Sequence, residues 1–288
     1  MDLSRFRVRP GDTINLRRYD PADTEPYNSK KKAVSKLDRG VTRLAELQEQ
    51  LYAQDRWALL LIFQGMDAAG KDSVIKHVMS GLNPQGTEVF SFKRPSDEEL
   101  DHDYMWRTTK ALPERGRIGI FNRSYYEEVL VVRVNPEILS RQRIPAGLIN
   151  RRLWGDRYED VNAFERYLSR NGTLIRKFFL HMSKEEQKRR FLERLDEPSK
   201  NWKFSPGDLD VRDRWDDYMR AYEQALSRTS TKHAPWFIIP ADHKWFTRLA
   251  VAALVVEALE SLDLSFPPAS KAHLDALAAG RKRLESEP

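Results

Sequence analysis

The chain has 288 residues, with 49 Lys and Arg against 43 Asp and Glu, a formal net charge of +6. Its 40% hydrophobic and 32% charged residues exclude a disordered chain, and with no apolar run of 18 residues they exclude a membrane-spanning helix. Cysteine is absent, so disulfides, thiolate metal sites and a Cys nucleophile are ruled out, and with six scattered His a His-built zinc site is not expected.

Residues 1–27 hold Pro10, Gly11, Pro21 and Pro26 without a sustained period and read as an irregular N-terminal arm. They carry no apolar h-region, so no secretory signal is expected and the cytoplasm is the expected location. From Ser29 to about Gln54, Val34, Leu37, Val41, Leu44, Leu47 and Leu51 recur every three or four residues, the spacing of an amphipathic helix. Lys30, Lys31, Lys32 and Lys36 stand at its start as a solvated helix end or the far wall of an anion channel.

Trp57–Phe63 is a continuous apolar run that suits a strand buried on both faces. Gly65–Lys71 follows, then a helix from about Lys71 to Leu82, stopped by Asn83-Pro84. Thr87–Phe92 reads as a second strand and residues 97–111 as a helix capped by Ser96 or Asp97. Arg117–Phe121, Thr173–His181 and Trp236–Pro240 read as three more strands, the last followed by a helix from about Asp242 to Leu262. Short apolar strands alternating with helices predict an α/β fold, a parallel five-stranded sheet with helices on both faces. The Ala/Lys/Arg/Glu-rich stretch after Pro267-Pro268 reads as one solvated helix or a frayed tail. The expected organisation is an arm over 1–27, one α/β domain over 28–265 and a tail over 266–288.

Gly65-Met66-Asp67-Ala68-Ala69-Gly70-Lys71 fits G-x-x-x-x-G-K between a strand and a helix, the context that a phosphate loop requires. Glycines let backbone wrap a phosphate without Cβ clashes, and consecutive N–H groups at a helix start attract the anion. Gly65, Ala68, Ala69, Gly70, Lys71, Asp72, Ser73 and Lys76 are the expected phosphate contacts, with Lys71 supplying charge to the phosphoryl in transfer. The Ser or Thr that usually follows the Lys, as a hydroxyl ligand for Mg²⁺, is Asp72 here. Asp67, inside the loop, suits either a Mg²⁺ ligand or an acceptor for a proton from an attacking phosphate.

Phe121-Asn122-Arg123-Ser124-Tyr125-Tyr126-Glu127-Glu128 leaves the carboxyl end of a strand, where open α/β sheets bind ligands. Asn122 stands where phosphate-loop enzymes usually carry an acid. Arg123 can clamp a phosphate bidentately or pair with Glu127 four residues on. Glu127, or its neighbour Glu128, can complete a metal site with Asp67, and Arg133 is a further phosphate candidate.

Ser183-Lys184-Glu185-Glu186 is a capping box that opens a basic helix with Lys188, Arg189, Arg190 and Arg194. Lys200 and Lys203 follow, then a helix with Trp215, Tyr218 and Tyr222. A basic hairpin over about 183–228, inserted between two strands, is where a kinase lid belongs. Arg190 and Arg194 are then candidate catalytic groups that neutralise charge on the transferring phosphoryl. The plainer reading is a solvated face paired with Glu185, Glu186 and Glu193. Phe92, Arg94, Pro95, Trp106 and Arg107 are candidates for a base pocket.

Over roughly residues 15–265 the chain resembles the polyphosphate kinase 2 family of phosphate-loop kinases. The resemblance rests on Gly65–Asp72, Phe121–Glu127, Ser183–Arg190, Ala234-Pro235-Trp236 and Pro240–Trp245. It implies a three-layer α/β/α phosphate-loop kinase fold with a helical lid. It implies Mg²⁺-dependent, reversible transfer of the terminal phosphoryl of inorganic polyphosphate to a nucleotide, with Mn²⁺ as a possible substitute. Asp67, Lys71 and Arg123 match the family's essential positions. Many members carry Asp in place of Asn122 and favour diphosphates. The Asn122/Glu127 pairing resembles the subgroup that selects AMP as well as ADP and makes ATP. Assembly as a homodimer or homotetramer is implied as well, with no membrane partner. Two other readings stand beside this one: an ATP-dependent nucleoside monophosphate kinase, and a non-catalytic polyanion-binding module. Binding of nucleic acid is not expected, because acidic residues beside the loop oppose its backbone.

Overall fold

The computed structural model describes residues 1–27 and 29–287; the Lys32 side chain, one of the candidate basic groups, lies outside the described residues. Five parallel strands form one sheet: β1 Ala58–Gln64, β2 Thr87–Ser91, β3 Ile118–Asn122, β4 Thr173–His181 and β5 Trp236–Pro240, in the order β2-β3-β1-β4-β5. Each lies within a residue or two of the apolar run that predicted it. β1 is central, pairing with both β3 and β4, and every one of its residues is buried. Leu59, Leu61 and Phe63 pack on one face and Leu60 and Ile62 on the other, as a strand's two-residue period requires.

Helices cover both faces, as expected for the three-layer fold. Helix α1 (Lys30–Gln54), α2 (Lys71–Val78) and the helix Lys244–Glu260 pack on the first face through Leu44, Leu51, Val74, Val78, Leu254 and Val255. Leu153–Arg170 and Trp215–Thr229 cover the second through Tyr158, Val161, Tyr218 and Tyr222. The chain leaves β1 toward one edge and later crosses to its other side. That reversal opens a crevice beyond the carboxyl ends of β1 and β3.

Several expectations change. The arm packs into the core: Phe6, Val8, Ile14, Leu16 and Tyr27 are buried. Val8 N–H donates to Trp236 O at 2.9 Å and Arg7 bridges Phe237, so the arm covers the β5 edge. The expected helix over 97–111 is two short pieces, Asp97–Asp101 and Trp106–Thr109, because Ser96 caps only the first. α2 ends at Val78 rather than Leu82, before Gly81 at φ +93°. The lid is shorter than 183–228: Trp215–Thr229 buries Trp215, Tyr218 and Tyr222 and belongs to the core, leaving Lys184–Asp196 and Gly207–Asp213 as the covering pieces. The tail forms the helix Lys271–Glu285, whose residues are all exposed. Among the described residues no helix is long and apolar enough to cross a membrane.

Candidate active site

β1 delivers the loop Gly65–Gly70, and α2 begins at Lys71. Gly65 has φ +156°, and a Cβ there would lie 2.9 Å from Leu180 O, so only glycine fits between loop and β4. Lys71 is 8% exposed; its Nζ donates to Gly65 O at 2.7 Å and Met66 O at 3.3 Å. Burial, with the positive charge of Arg123 behind it, pulls its pKa down to about 8, against the pull of Asp67. A phosphate in the loop gives that ammonium the full counter-charge it lacks.

β3 delivers Asn122 and Arg123. Asn122 Nδ2 donates to Asp72 Oδ1 at 2.5 Å, so Asp72, in the usual hydroxyl position, is tied to the expected selecting residue. Arg123 holds φ +66°, a costly conformation for a residue with a Cβ, fixed by its N–H on Phe63 O at 3.0 Å. Its guanidinium bridges Asp67 Oδ1 at 2.6 Å and Glu127 Oε2 at 3.1 Å. Those two carboxylates, Glu127 first, raise the Arg123 pKa above its ordinary value. The two open readings of Arg123 therefore merge: it pairs with Glu127 and also faces the loop.

Asp67 and Glu127 each keep one oxygen off Arg123. Among the described residues no three His, Asp or Glu cluster as ligands. Two carboxylates beside a phosphate loop form a hard-oxygen donor set of the kind Mg²⁺ takes with substrate phosphates and water. Glu128 points elsewhere, to Arg157 at 3.1 Å, so Glu127 is the better-placed partner of Asp67.

Ser124 anchors the turn by accepting from Tyr126 N–H at 3.1 Å. Behind it, Tyr125 and Tyr126 hydroxyls donate to Glu165 Oε1 at 3.0 and 2.9 Å. Lys177 Nζ donates to Glu165 Oε2 at 2.6 Å, to Tyr126 OH and to Thr229 O. Both charged side chains are fully buried; desolvation lowers the Lys177 pKa and raises that of Glu165. Sequence reading missed this support, although a Lys inside the apolar β4 run was its signal.

The lid helix Lys184–Asp196 starts as half of the expected box: Ser183 Oγ accepts from Glu186 N–H, but the Glu186 carboxylate turns to Arg189 and Arg190. Arg190 is 4% exposed. It donates to Ala68 O, Ala69 O, Ala241 O, Asp242 O and Glu186. Every arm of the fork is spent on holding the loop to the lid and to the end of β5, at the wall of the cavity. Arg194, which also lines the cavity, pairs instead with Asp208 at 3.2 Å.

A cavity of about 1030 Å³ joins these parts. Asp67, Lys71, Arg123 and Glu127 line its middle. Arg194, Lys200, Lys203 and Lys244 line the lid end. The far end takes Phe92, Leu100, Val131, Val132 and Ile138 with Arg94, Pro95 and Arg107. Lys93, Arg141 and Lys244 line it without having been singled out in the sequence. Five expected residues fall outside the lining, Gly65 and Ala69 of the loop among them. Arg133 donates to Tyr158 OH at 2.8 Å and lies over Trp154, Lys76 is exposed on α2, and Trp106 stacks on His102. Lys30 and Lys31 are exposed and do not line the cavity; Lys36 donates to Tyr27 OH.

Residues 27–267 match the family model described as polyphosphate kinase 2. The chain is 53% identical over 282 residues to an ADP-polyphosphate phosphotransferase of Rhodopseudomonas palustris, across 97% of each chain. It is 44% identical over 269 residues to an AMP/ADP-polyphosphate phosphotransferase of Meiothermus ruber, across 92% of this chain and 96% of the relative. It matches the crystal structure of polyphosphate kinase 2 from Arthrobacter aurescens TC1 with a TM-score of 0.85 at 42% identity, over 95% of each chain.

Proposed function

The chain belongs to the polyphosphate kinase 2 family, and from that premise we propose that it transfers the terminal phosphoryl of inorganic polyphosphate to AMP and ADP, reversibly. One observation carries the reading: the cavity has two unlike ends. The lid end offers Arg194, Lys200, Lys203 and Lys244 without an aromatic residue, whereas the far end, which also carries Arg94 and Arg107, adds Phe92, the one aromatic residue in the lining among the described residues, to its aliphatic side chains. A polyanion without a base needs cations and no stacking platform. A nucleoside needs the apolar end. Two nucleotides, as an ATP-dependent monophosphate kinase requires, would need a second base site.

The names of the two relatives support ADP and AMP as acceptors. Phosphoryl transfer asks the protein mainly for position and charge. Lys71 and the loop N–H groups hold the phosphoryl in transfer. Arg123, fixed by Asp67 and Glu127, faces the charge that develops between donor and acceptor. Arg190 positions the loop, and Arg194 with the lid lysines orders the polyphosphate. Asp67 can also accept a proton from the attacking phosphate. Mg²⁺ (or Mn²⁺) held by the free oxygens of Asp67 and Glu127 would neutralise phosphate charge and orient the transfer. Nucleotide and Mg²⁺ as reactants, with a chain free of cysteine, favour a cytoplasmic setting. The resemblance further suggests a homodimer or homotetramer.

The test is a chromatographic nucleotide assay with Mg²⁺, long-chain polyphosphate and either AMP or ADP, beside tubes without polyphosphate. ATP from both acceptors only with polyphosphate supports the reading. ATP from ADP alone keeps the donor and refutes AMP as acceptor. AMP phosphorylation by ATP alone points to the monophosphate kinase.

A further inference from the structure

The apolar end of the cavity has a polar floor that the transfer chemistry does not use. Glu128 lines the cavity yet is 4% exposed. Its Oε2 accepts from Gln142 Nε2 at 2.5 Å and from Arg157 Nη1 at 3.1 Å. Arg157 Nη2 donates to Gln142 Oε1 at 2.6 Å, which consumes the other end of that amide. Arg157, 2% exposed, is held between the rings of Tyr104 and Trp154, 4.9 and 5.4 Å from their centroids, and also donates to Glu128 O. The side-chain amide of Gln142 is thus locked and Glu128 Oε2 is held by Gln142 and Arg157, while burial raises the Glu128 pKa against the pull of both. Among the described residues Glu128 Oε1 has no hydrogen-bond partner.

We propose that Glu128 Oε1 is the acceptor that reads the nucleotide's base, selecting one that presents an exocyclic amino group. With Oε2 taken by both donors, Oε1 is the oxygen left to accept. It rewards an N–H donor and repels a carbonyl oxygen in the same place. The ribose also carries donors, but Phe92, Leu100, Val131, Val132 and Ile138 around this end suit a flat base. Glu128 and Glu127 are then neighbours with separate duties: Glu127 faces Arg123 and the phosphates, Glu128 faces the base.

This inference rests on the proposed function, and its test separates the two. The unaltered enzyme is given polyphosphate and AMP, purine riboside 5′-monophosphate (which lacks the 6-amino group) or 2′-deoxy-AMP. Failure to phosphorylate AMP overturns AMP as acceptor in the functional reading, not the base assignment. With AMP active, the inference predicts that KM for the purine riboside rises by about 10- to 100-fold, the worth of one hydrogen bond to a charged group. kcat stays within about twofold and 2′-deoxy-AMP behaves like AMP. Equal KM for AMP and purine riboside overturns it, and so does a loss confined to 2′-deoxy-AMP, which would assign the acceptor to the ribose. In Glu128→Gln, discrimination between AMP and purine riboside is expected to collapse toward unity; retained discrimination in a folded variant refutes the assignment. Where that variant does not fold, the substrate series on the unaltered chain decides alone.

Discussion

Arg190 separates two accounts of the lid. As a mobile catalytic finger it would touch only the reacting phosphoryl, and its loss would spare stability. Its side chain is instead almost wholly buried, with an ion pair to Glu186 at 2.7 Å and four backbone carbonyls as acceptors. Arg190→Ala would orphan those carbonyls and half of the Glu186 pairing. Breaking a buried, hydrogen-bonded ion pair costs about 3–5 kcal/mol. At about 2–4 °C per kcal/mol for a domain of this size, Tm should fall by roughly 6–20 °C. The Arg194 pair with Asp208 is about one-fifth exposed on each side. Arg194→Ala should therefore cost no more than about 1 kcal/mol and instead raise KM for polyphosphate. Thermal unfolding and steady-state kinetics on both variants decide. Arg190→Ala melting within about 2 °C of the parent, with kcat down a hundredfold, would refute the positioning role and restore the catalytic finger.

Further expectations follow from the same geometry. Lys71→Ala should abolish transfer, below about one-thousandth of the parent rate, while leaving the far-ultraviolet circular dichroism and a cooperative melt intact. Lys71 titrates near pH 8 in the free chain, below its ordinary value, and a bound phosphate raises it. Above pH 8 binding must therefore take up a proton, and polyphosphate affinity should fall as pH rises through 8, approaching tenfold per unit. A flat binding profile from pH 7 to 9.5 would contradict this. Lys177→Met leaves the buried Glu165 uncompensated and should cost about 3–5 kcal/mol, whereas Lys177→Met with Glu165→Leu should recover most of that loss in denaturant titrations. Removing residues 266–288 should shift Tm by less than about 2 °C, because the helix Lys271–Glu285 buries nothing; a large drop would show that this helix has a partner.

The sheet was legible because β1 and β5 are continuous apolar runs, which a strand buried on both faces demands. The loop was legible because its chemistry is local: two glycines and a lysine between strand and helix. What the sequence could not reveal depends on who meets whom in space. Arg190 and Arg194 look alike one helical turn apart and both line the cavity, yet one is spent on the loop's carbonyls and the other pairs with Asp208. Arg133 looked like a phosphate ligand until Tyr158 and Trp154 claimed it. The arm's burial was hidden because Phe6, Val8, Ile14 and Leu16 follow no helix or strand period and dock one by one against the sheet's edge and the helix Trp215–Thr229. Lys177 is a polar residue at a core position, and only the meeting of β4 with the helix Leu153–Arg170 reveals its partner.

The most direct test of the central claim is a single-turnover experiment with terminally ³²P-labelled polyphosphate, AMP and Mg²⁺. The unaltered chain and Lys71→Ala are run side by side. The account predicts label in the β-phosphate of ADP, then in ATP, with the unaltered chain and no transfer with Lys71→Ala. Label that stays in polyphosphate with the unaltered chain, or transfer by Lys71→Ala at the parent rate, would contradict it.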